Sequence, residues 1–328
     1  MKTEFVGPLA ALMKQYLELR RSLGYSLLST EHVLRRVDPF WAEHFPDTET
    51  VTRPMILGYL ESMKHFSPST RHLHLSRLRV FCRFLSQYDL NTYIPEKNLE
   101  PRGERERTPY IFSEREVVEI IRAARRLPPP NSLRPHTYAT MIGLLWATGI
   151  RPKEALDLDL QDIDFLSSML YIRESKFLKS RLVPLAGSTT KALHDYCHLR
   201  ARFGQDQGPT APLFINERAR RCMQVTVGQV FRGLVRQLGM RTAQGGNPRL
   251  YDLRHTFATR TLLEAYQSGK DPGACLPILA TYLGHVSVAH TQVYLHPLPE
   301  LLAITGNRFH EYINLECGIS QGGYHEKE

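Results

Sequence analysis

The sequence of 328 residues predicts a mainly α protein of two domains, the second carrying a small antiparallel sheet. Three observations lead there. Apolar residues recur at helical spacing through residues 9–93. A charged, proline-bearing stretch without apolar period interrupts them at residues 95–109. Beyond it, helical patterns give way to three short β-like runs between residues 158 and 185, and then return. The length accommodates two cores, and 42% apolar with 23% charged residues is an ordinary globular composition. The excess of 42 Lys+Arg over 33 Asp+Glu, a net charge of +9, favours a polyanionic partner such as nucleic acid.

The first domain, residues 1–94, reads as four or five short helices and no strand. Leu9, Leu12, Met13, Tyr16 and Leu17, then Val33, Leu34, Val37, Phe40 and Trp41, form apolar stripes. Helix starts are offered by Ser29-Thr30-Glu31, Thr52-Arg53-Pro54 and Ser67-Pro68-Ser69-Thr70. The last helix, about residues 69–88, carries Leu75, Leu78, Phe81, Cys82 and Leu85 on one side. Arg71, His74, Arg77 and Arg83 are among its polar positions, a basic face suited to DNA phosphates, with Arg71 and Arg77 as the candidate contacts.

Residues 95–109 read as an extended linker whose Arg102, Arg105 and Arg107 alternate with Glu104 and Glu106. The second domain, residues 110–328, opens with a capping box at Ser113-Glu114-Arg115-Glu116. Pro128-Pro129-Pro130 closes that helix, and residues 137–148 form one that is apolar nearly all round and therefore buried. The β-like runs are residues 163–165, 169–173 and 181–185, with the polar segment 174–180 as a hairpin. Helices follow to about residue 315, and residues 318–328 form a polar, mobile tail.

Five cysteines, none spaced as C-x-x-C, suggest neither a disulfide framework nor a thiolate zinc site. No leader or run of ~18 apolar residues is present, so no membrane role is expected. The expected location is a bacterial-type cytoplasm, at the nucleoid. Asp157, Asp159, Asp162 and Asp164 lack the glycine and the final glutamate of a calcium loop, so a turn before a strand explains them and no metal is expected. No phosphate-binding G-x-x-x-x-G-K-[ST] loop occurs.

The chemistry lies in separated residues. Thr148-Gly149-Ile150-Arg151 ends an apolar helix at a glycine, which brings Arg151 out at a helix junction, with Glu154 three residues on to orient it. Arginine suits phosphate because its planar fork offers two parallel, permanently charged hydrogen bonds. Leu253, Phe257 and Leu262 can anchor a helix while Arg254, in Asp252-Leu253-Arg254-His255-Thr256-Phe257-Ala258-Thr259, points elsewhere as a second guanidinium. Lys176 and Lys179 both lie in the hairpin, and the residues alone do not choose between them as a proton donor to a leaving group. Leu283-Gly284-His285 is followed nine residues later by Tyr294. A tyrosine hydroxyl with an ordinary pKa of ~10 needs neighbouring cations or a base to attack at neutral pH.

In this order and wording the residues resemble the tyrosine recombinase (phage integrase) family. The resemblance covers residues 111–314, with the N-terminal helices matching in pattern as a core-type DNA-binding domain. It implies the family's fold, two domains that clamp double-stranded DNA, and Arg151, Lys176, Arg254, His285 and Tyr294 as catalytic residues. Lys179 then becomes a DNA-backbone contact. Tyr294 would attack a phosphate to give a 3′-phosphotyrosyl link and a free 5′-hydroxyl, with no cofactor. A tetramer on two DNA sites is implied, and other recombinases or accessory DNA-bending proteins are further candidate partners. The inserted Gly269-Lys270-Asp271-Pro272-Gly273 and the string Leu279-Ala280-Thr281-Tyr282-Leu283-Gly284-His285 look like the subgroup encoded by mobile elements, which implies integration, excision or transposition.

One position departs from the family pattern. Its second box usually reads H-x-x-R, whereas this chain has Tyr251-Asp252-Leu253-Arg254, so Tyr251 is kept as a site candidate and His255 is read as structural. Two rivals stay open: an accessory DNA-binding protein that retains the fold without catalysis, and a type IB topoisomerase-like enzyme that relaxes DNA without pairing sites.

Overall fold

The computed structural model describes residues 4–25, 27–101, 108–173, 180–269, 271–285 and 287–292. The hairpin residues 174–179 with Lys176 and Lys179, Tyr294, the arginines at 102, 105 and 107, and the expected tail lie outside these. The chain forms two compact units, Met1–Arg107 and Thr108–Glu328.

Among the described residues, four helices build the first unit: α1 (Ala10–Ser22), α2 (Leu28–His44), α3 (Arg53–Ser62) and α4 (Pro68–Leu85). Their stripes meet in one core containing Met13, Tyr16, Val37, Trp41, Ile56, Tyr59, Leu78 and Phe81. Ser67 caps α4 by accepting a hydrogen bond from the Thr70 amide at 3.3 Å. The start expected at Ser29 falls instead inside α2, which begins at Leu28 after Leu27 without a side-chain cap.

The basic face of α4 is smaller than expected. His74 is buried, with its ring Nδ1 2.8 Å from the Tyr59 hydroxyl. The stripe explains it: positions 74, 78, 81 and 85 follow one another at helical spacing, so His74 lies over Leu78. Arg71 is only 21% exposed and pairs with Glu100 at 3.2 Å. Arg79 is buried and donates to the carbonyls of Pro95 and Glu96. Residues 95–101, expected to be linker, are thus fastened to α4. Arg77 is half-buried and Arg83 exposed.

In the second unit, α5 (Glu114–Ala124) starts at the expected capping box: Ser113 Oγ accepts from the Glu116 amide, and the Glu116 carboxylate accepts from the Ser113 amide. Helix α6 (Arg134–Thr148) packs against α5, α8 (Gly187–Arg202) and α10 (Asp252–Gln267), which explains its apolar circumference. Helix α7 (Pro152–Asp157) follows after the Gly149 turn. Strands β1 (Ile163–Asp164), β2 (Met169–Ile172) and β3 (Arg181–Pro184) form an antiparallel sheet in that order. Leu170 and Val183 face each other across β2 and β3 and are fully buried, while Tyr171 and Leu182 point outward. Helices α9 (Gln224–Gln237), α11 (Pro272–Leu283) and α12 (Ala289–Gln292) complete the described part. Two isolated bridges, Asp159 with Pro212 and Ile215 with Arg221, add an extended segment that the sequence pattern did not suggest.

Candidate active site

A helix leaves its last carbonyls without intrahelical partners, and their partial negative charge attracts cations. At the end of α11 three consecutive carbonyls are taken by three different guanidiniums. Arg181 Nε donates to the Tyr282 carbonyl at 2.8 Å, Arg254 Nη2 to that of Leu283 at 2.7 Å, and Arg151 Nη2 to that of Gly284 at 2.8 Å. Arginines from the α6–α7 junction, from β3 and from α10 therefore converge on one point.

The turn at that point follows from its residues. Gly284 is left-handed, at φ +67°, and the amides of Gly284 and His285 donate to the carbonyls of Thr281 and Ala280. This is a Schellman closure, and it turns His285 back toward the arginines. A Cβ at Gly284 would lie 2.9 Å from Arg181 Nη1, so the glycine also provides room for the cluster. Gly149 plays the same part below Arg151. Its φ is +60°, a Cβ there would run into the Phe257 ring, and its carbonyl accepts from Arg254 Nη1 at 2.9 Å.

The Asp252–Phe257 string divides its labour by position. Asp252 accepts from the Arg249 amide at 2.7 Å and holds the turn into α10, and Leu253 enters the core. Arg254, 1% exposed, reaches the α11 end. Thr256 accepts from the Phe112 amide at 3.0 Å and so ties α10 to the segment before α5. Phe257 stacks on Tyr282 with ring centroids 5.4 Å apart.

Glu154 is the carboxylate of the cluster. It accepts from the Arg151 amide at 2.8 Å and from Arg151 Nη1 at 2.7 Å, and both its oxygens receive Arg181, at 3.1 and 2.8 Å. Burial alone pushes this carboxyl up, but the hydrogen bonds and charge of Arg181, then the bonds from Arg151, outweigh it and hold the pKa below its ordinary value. Among the described residues of the cluster, one carboxylate lies between two guanidiniums, and Arg254 brings a third guanidinium to the same helix end. His285 closes the site: Arg254 Nη2 lies 2.9 Å from its Nε2, and Thr291 Oγ1 2.7 Å from its Nδ1.

Of the sequence candidates, Arg151, Glu154, Arg254 and His285 are thus brought together. Tyr251 is 39% exposed and sets its ring against the edge of His255, with centroids 5.2 Å apart. His255 is half-buried, and burial holds its pKa below the usual range. Arg71 and Arg77 belong to the first unit. Sequence reasoning missed Arg181, which read only as the first residue of a strand, and Thr291. The aspartates before the sheet serve ion pairs: Asp159 receives Arg173 and Arg221, both at 2.5 Å, and Asp162 receives Arg173 at 2.8 Å. Among the described residues no three His, Cys, Asp or Glu side chains gather as a metal site requires. Nor, among them, is any helix long and apolar enough to cross a membrane.

The sequence pattern of the Phage integrase family matches residues 111–301, which takes in the α6–α7 junction, the sheet, α10, α11 and α12. This chain belongs to that family. The "Putative integrase/recombinase y4rB" of Sinorhizobium fredii is 38% identical over 294 residues, 88% of this chain and 93% of that protein. Tyrosine recombinase XerC of Lactobacillus delbrueckii subsp. bulgaricus is 27% identical over 295 residues, 87% and 94% of the two chains. The fold is shared with the Tn1549 transposon integrase in complex with transposon right end DNA, at TM-score 0.63 and 16% identity over 90% of this chain and 98% of that one. It is likewise shared with a lambda integrase dimer bound to a COC′ core site, at TM-score 0.61 and 18% identity over 87% and 94%. The integrase-family chain described here is a tyrosine-type site-specific DNA recombinase, mainly helical with a small antiparallel sheet.

Proposed function

We propose that Arg151 and Arg254 grip the scissile phosphate while Tyr294 attacks it, leaving a 3′-phosphotyrosyl link and a free 5′-hydroxyl. The observation that carries this reading is the arginine cluster at the end of α11. Arg151, Arg254 and His285 meet where fixed donors already satisfy weak acceptors, and a phosphate is a stronger acceptor than a carbonyl. Two guanidiniums on one phosphate stabilise the extra charge of a pentacoordinate transition state without reorganising. Glu154 and Arg181 hold Arg151 in place. Lys176 protonates the departing 5′-oxygen, and Lys179 contacts the backbone of the duplex. The phosphotyrosyl link conserves the energy of the broken bond, so rejoining to a second strand needs no cofactor.

Residues 1–94 are read as the core-type DNA-binding domain, with Arg77 and, once released from Glu100, Arg71 on phosphates. Residues 110–328 are the catalytic domain, and Tyr251 flanks the site. Double-stranded DNA is the substrate, four protomers act on two sites, and the element moved is mobile, by integration, excision or transposition. The net charge of +9 agrees with such a partner. The test is to express wild type and Tyr294→Phe, purify each under denaturing conditions, and sequence the DNA that stays attached. DNA from one discrete site, present only with Tyr294, is the expected result. A folded wild type that captures none would leave an accessory DNA-binding protein, and capture without sequence preference would leave a topoisomerase-like enzyme.

A further inference from the structure

Helix α8 turns a pair of histidines to solvent. His194 and His198 stand four residues apart, which places both side chains on one face of the helix, one turn above the other. Both are exposed, whereas Leu193, Tyr196 and Arg200 on the opposite side are buried. That buried side fixes the rotation of α8. The hydroxyls of Tyr196 and Thr137 lie 3.0 Å apart and join α8 to α6, and Arg200 donates to the carbonyls of Asp206 and Pro212. The two imidazole rings are set at 74° with centroids 4.2 Å apart, and the Phe165 ring stands against His194 at 78° and 5.5 Å. The Nε2 atoms of the pair are 3.0 Å apart.

A neutral imidazole has one N–H and one lone pair, so at this distance one ring donates to the other. The same two nitrogens can instead give both lone pairs to a metal ion. With metal–nitrogen bonds of about 2.0–2.1 Å, donors 3.0 Å apart subtend about 91–97° at the metal. That is the cis angle of square-planar and octahedral ions, whereas a tetrahedral ion would need the nitrogens roughly 3.3–3.4 Å apart. Imidazole suits the late transition metals, and Mg²⁺ and Ca²⁺ take oxygen instead. Among the described residues no third protein donor joins the pair: Asp195 is held by Lys191 at 3.0 Å, and no three His, Cys, Asp or Glu side chains gather. Water fills the remaining positions. Both histidines line a groove of about 960 Å³ that the described residues of α5, α6, α8 and α10 leave between them, which gives that water room.

We propose that His194 and His198 form a two-histidine site for a divalent late transition-metal ion, taking Cu²⁺ most tightly and Ni²⁺ next. The ring that donated through Nε2 carries its proton on Nδ1 instead, and two neutral imidazoles then hold the ion through Nε2. The ion clips two successive turns of α8 on the face that no core residue occupies. Because the buried side of α8 is fixed by Tyr196 and Arg200, the pair is arranged before the metal arrives and little ordering is left to oppose binding. The site shares no residue with the arginine cluster and is independent of the cutting chemistry.

Isothermal titration of the full chain with the chlorides of Cu²⁺, Ni²⁺, Zn²⁺ and Mg²⁺ tests the site, beside His194→Ala, His198→Ala and the double variant. Each single alanine should weaken Ni²⁺ binding by at least about tenfold, the loss that even an outer partner of a metal site can cause. His65→Ala removes an exposed histidine of the first unit and should leave that affinity unchanged. Zn²⁺ should bind more weakly than Ni²⁺, and Mg²⁺ should give no heat. Electron paramagnetic resonance at one equivalent of Cu²⁺ should show coupling to two histidine nitrogens in wild type, and both single variants should lose it. Alanine at an exposed helix position favours the helix, so the variants keep α8, as far-ultraviolet circular dichroism checks. Wild-type Ni²⁺ affinity in the double variant, or an unchanged copper spectrum there, would overturn the site. Tighter binding of Zn²⁺ than of Ni²⁺ would overturn the right-angled geometry on which the choice of ion rests.

Discussion

Replacing Gly284 by alanine perturbs the site through two separable costs. The residue sits at φ +67°, where a Cβ is crowded by its own backbone, a penalty of roughly 1–2 kcal/mol. The new Cβ would also lie 2.9 Å from Arg181 Nη1 and 3.2 Å from its Cζ. That guanidinium is tied to the Tyr282 carbonyl and to both oxygens of Glu154, so retreat breaks at least one charge-assisted hydrogen bond, roughly another 1.5–3 kcal/mol. The expected loss is roughly 2.5–5 kcal/mol together. Gly239 provides the control: its φ is +72°, but nothing lies within 4 Å of a Cβ there. Gly239→Ala should therefore cost only the backbone part, ~1–2 kcal/mol. Urea unfolding of both variants, followed by far-ultraviolet circular dichroism, measures the difference. Single-turnover cleavage should fall in Gly284→Ala beyond what its folded fraction explains, and stay near wild type in Gly239→Ala. Equal destabilisation by the two alanines would refute the claim that Arg181 is pinned beneath the turn.

Further outcomes follow from charge and burial. Glu154 is 6% exposed at its side chain, and Glu154→Gln leaves Arg151 and Arg181 without their shared carboxylate, at a cost of ~3 kcal/mol at neutral pH. Because its folded pKa is lowered from an ordinary 4.5, its contribution is present above that pH and is lost as pH falls through the lowered value; the glutamine variant should lack that part of the acid limb in urea titrations. His74 is held neutral, first by burial and then by the charges of Arg36 and His32, with its pKa pushed down to about 4 from 6.5. The unfolded chain then binds the extra proton, so stability falls as pH drops from 6.5 to about 4, by up to ~3 kcal/mol; hydrogen exchange of α3 and α4 amides should show this slope, and His74→Gln should flatten it. Burial raises the thiols of Cys82 and Cys222 to about 12, so iodoacetamide at pH 8 should leave both unmodified in native protein and label them only after unfolding, as read by peptide mass spectrometry.

Much of the site was legible because its chemistry coincides with local rules. Gly149 ends its helix in the one conformation that favours glycine, so Arg151 could be placed at a helix junction from the sequence, whereas the matching turn at Gly284 that brings in His285 emerged only with the structure. Arg254 stood out within a string whose other members, Asp252, Leu253 and Thr256, are explained by a turn, a core and a tie to Phe112. Arg181 was hidden because a strand needs no further account of its first residue. Only the three-dimensional meeting of β3 with α7 and with the end of α11 gives that arginine Glu154 and the Tyr282 carbonyl. Thr291 was hidden for the same reason: a threonine in a short polar run has no signature until a histidine nitrogen is found beside it. His74 was legible and misassigned, since its spacing to Leu78, Phe81 and Leu85 puts it on the buried stripe while its chemistry suggested the basic face. The fold class followed from periodicity because α6 and the sheet bury whole faces. The bridges at Asp159 and Ile215 did not, because two-residue pairings leave no period to read.

The most direct test of the account is to trap the covalent intermediate on a nicked cognate duplex, digest it with trypsin and nuclease, and locate the nucleotide adduct by tandem mass spectrometry. The expected result is a 3′-linked nucleotide on Tyr294 and no adduct when Arg254 is replaced by alanine. A nucleotide found on any other side chain, or adduct yields unchanged by loss of Arg254, would contradict it.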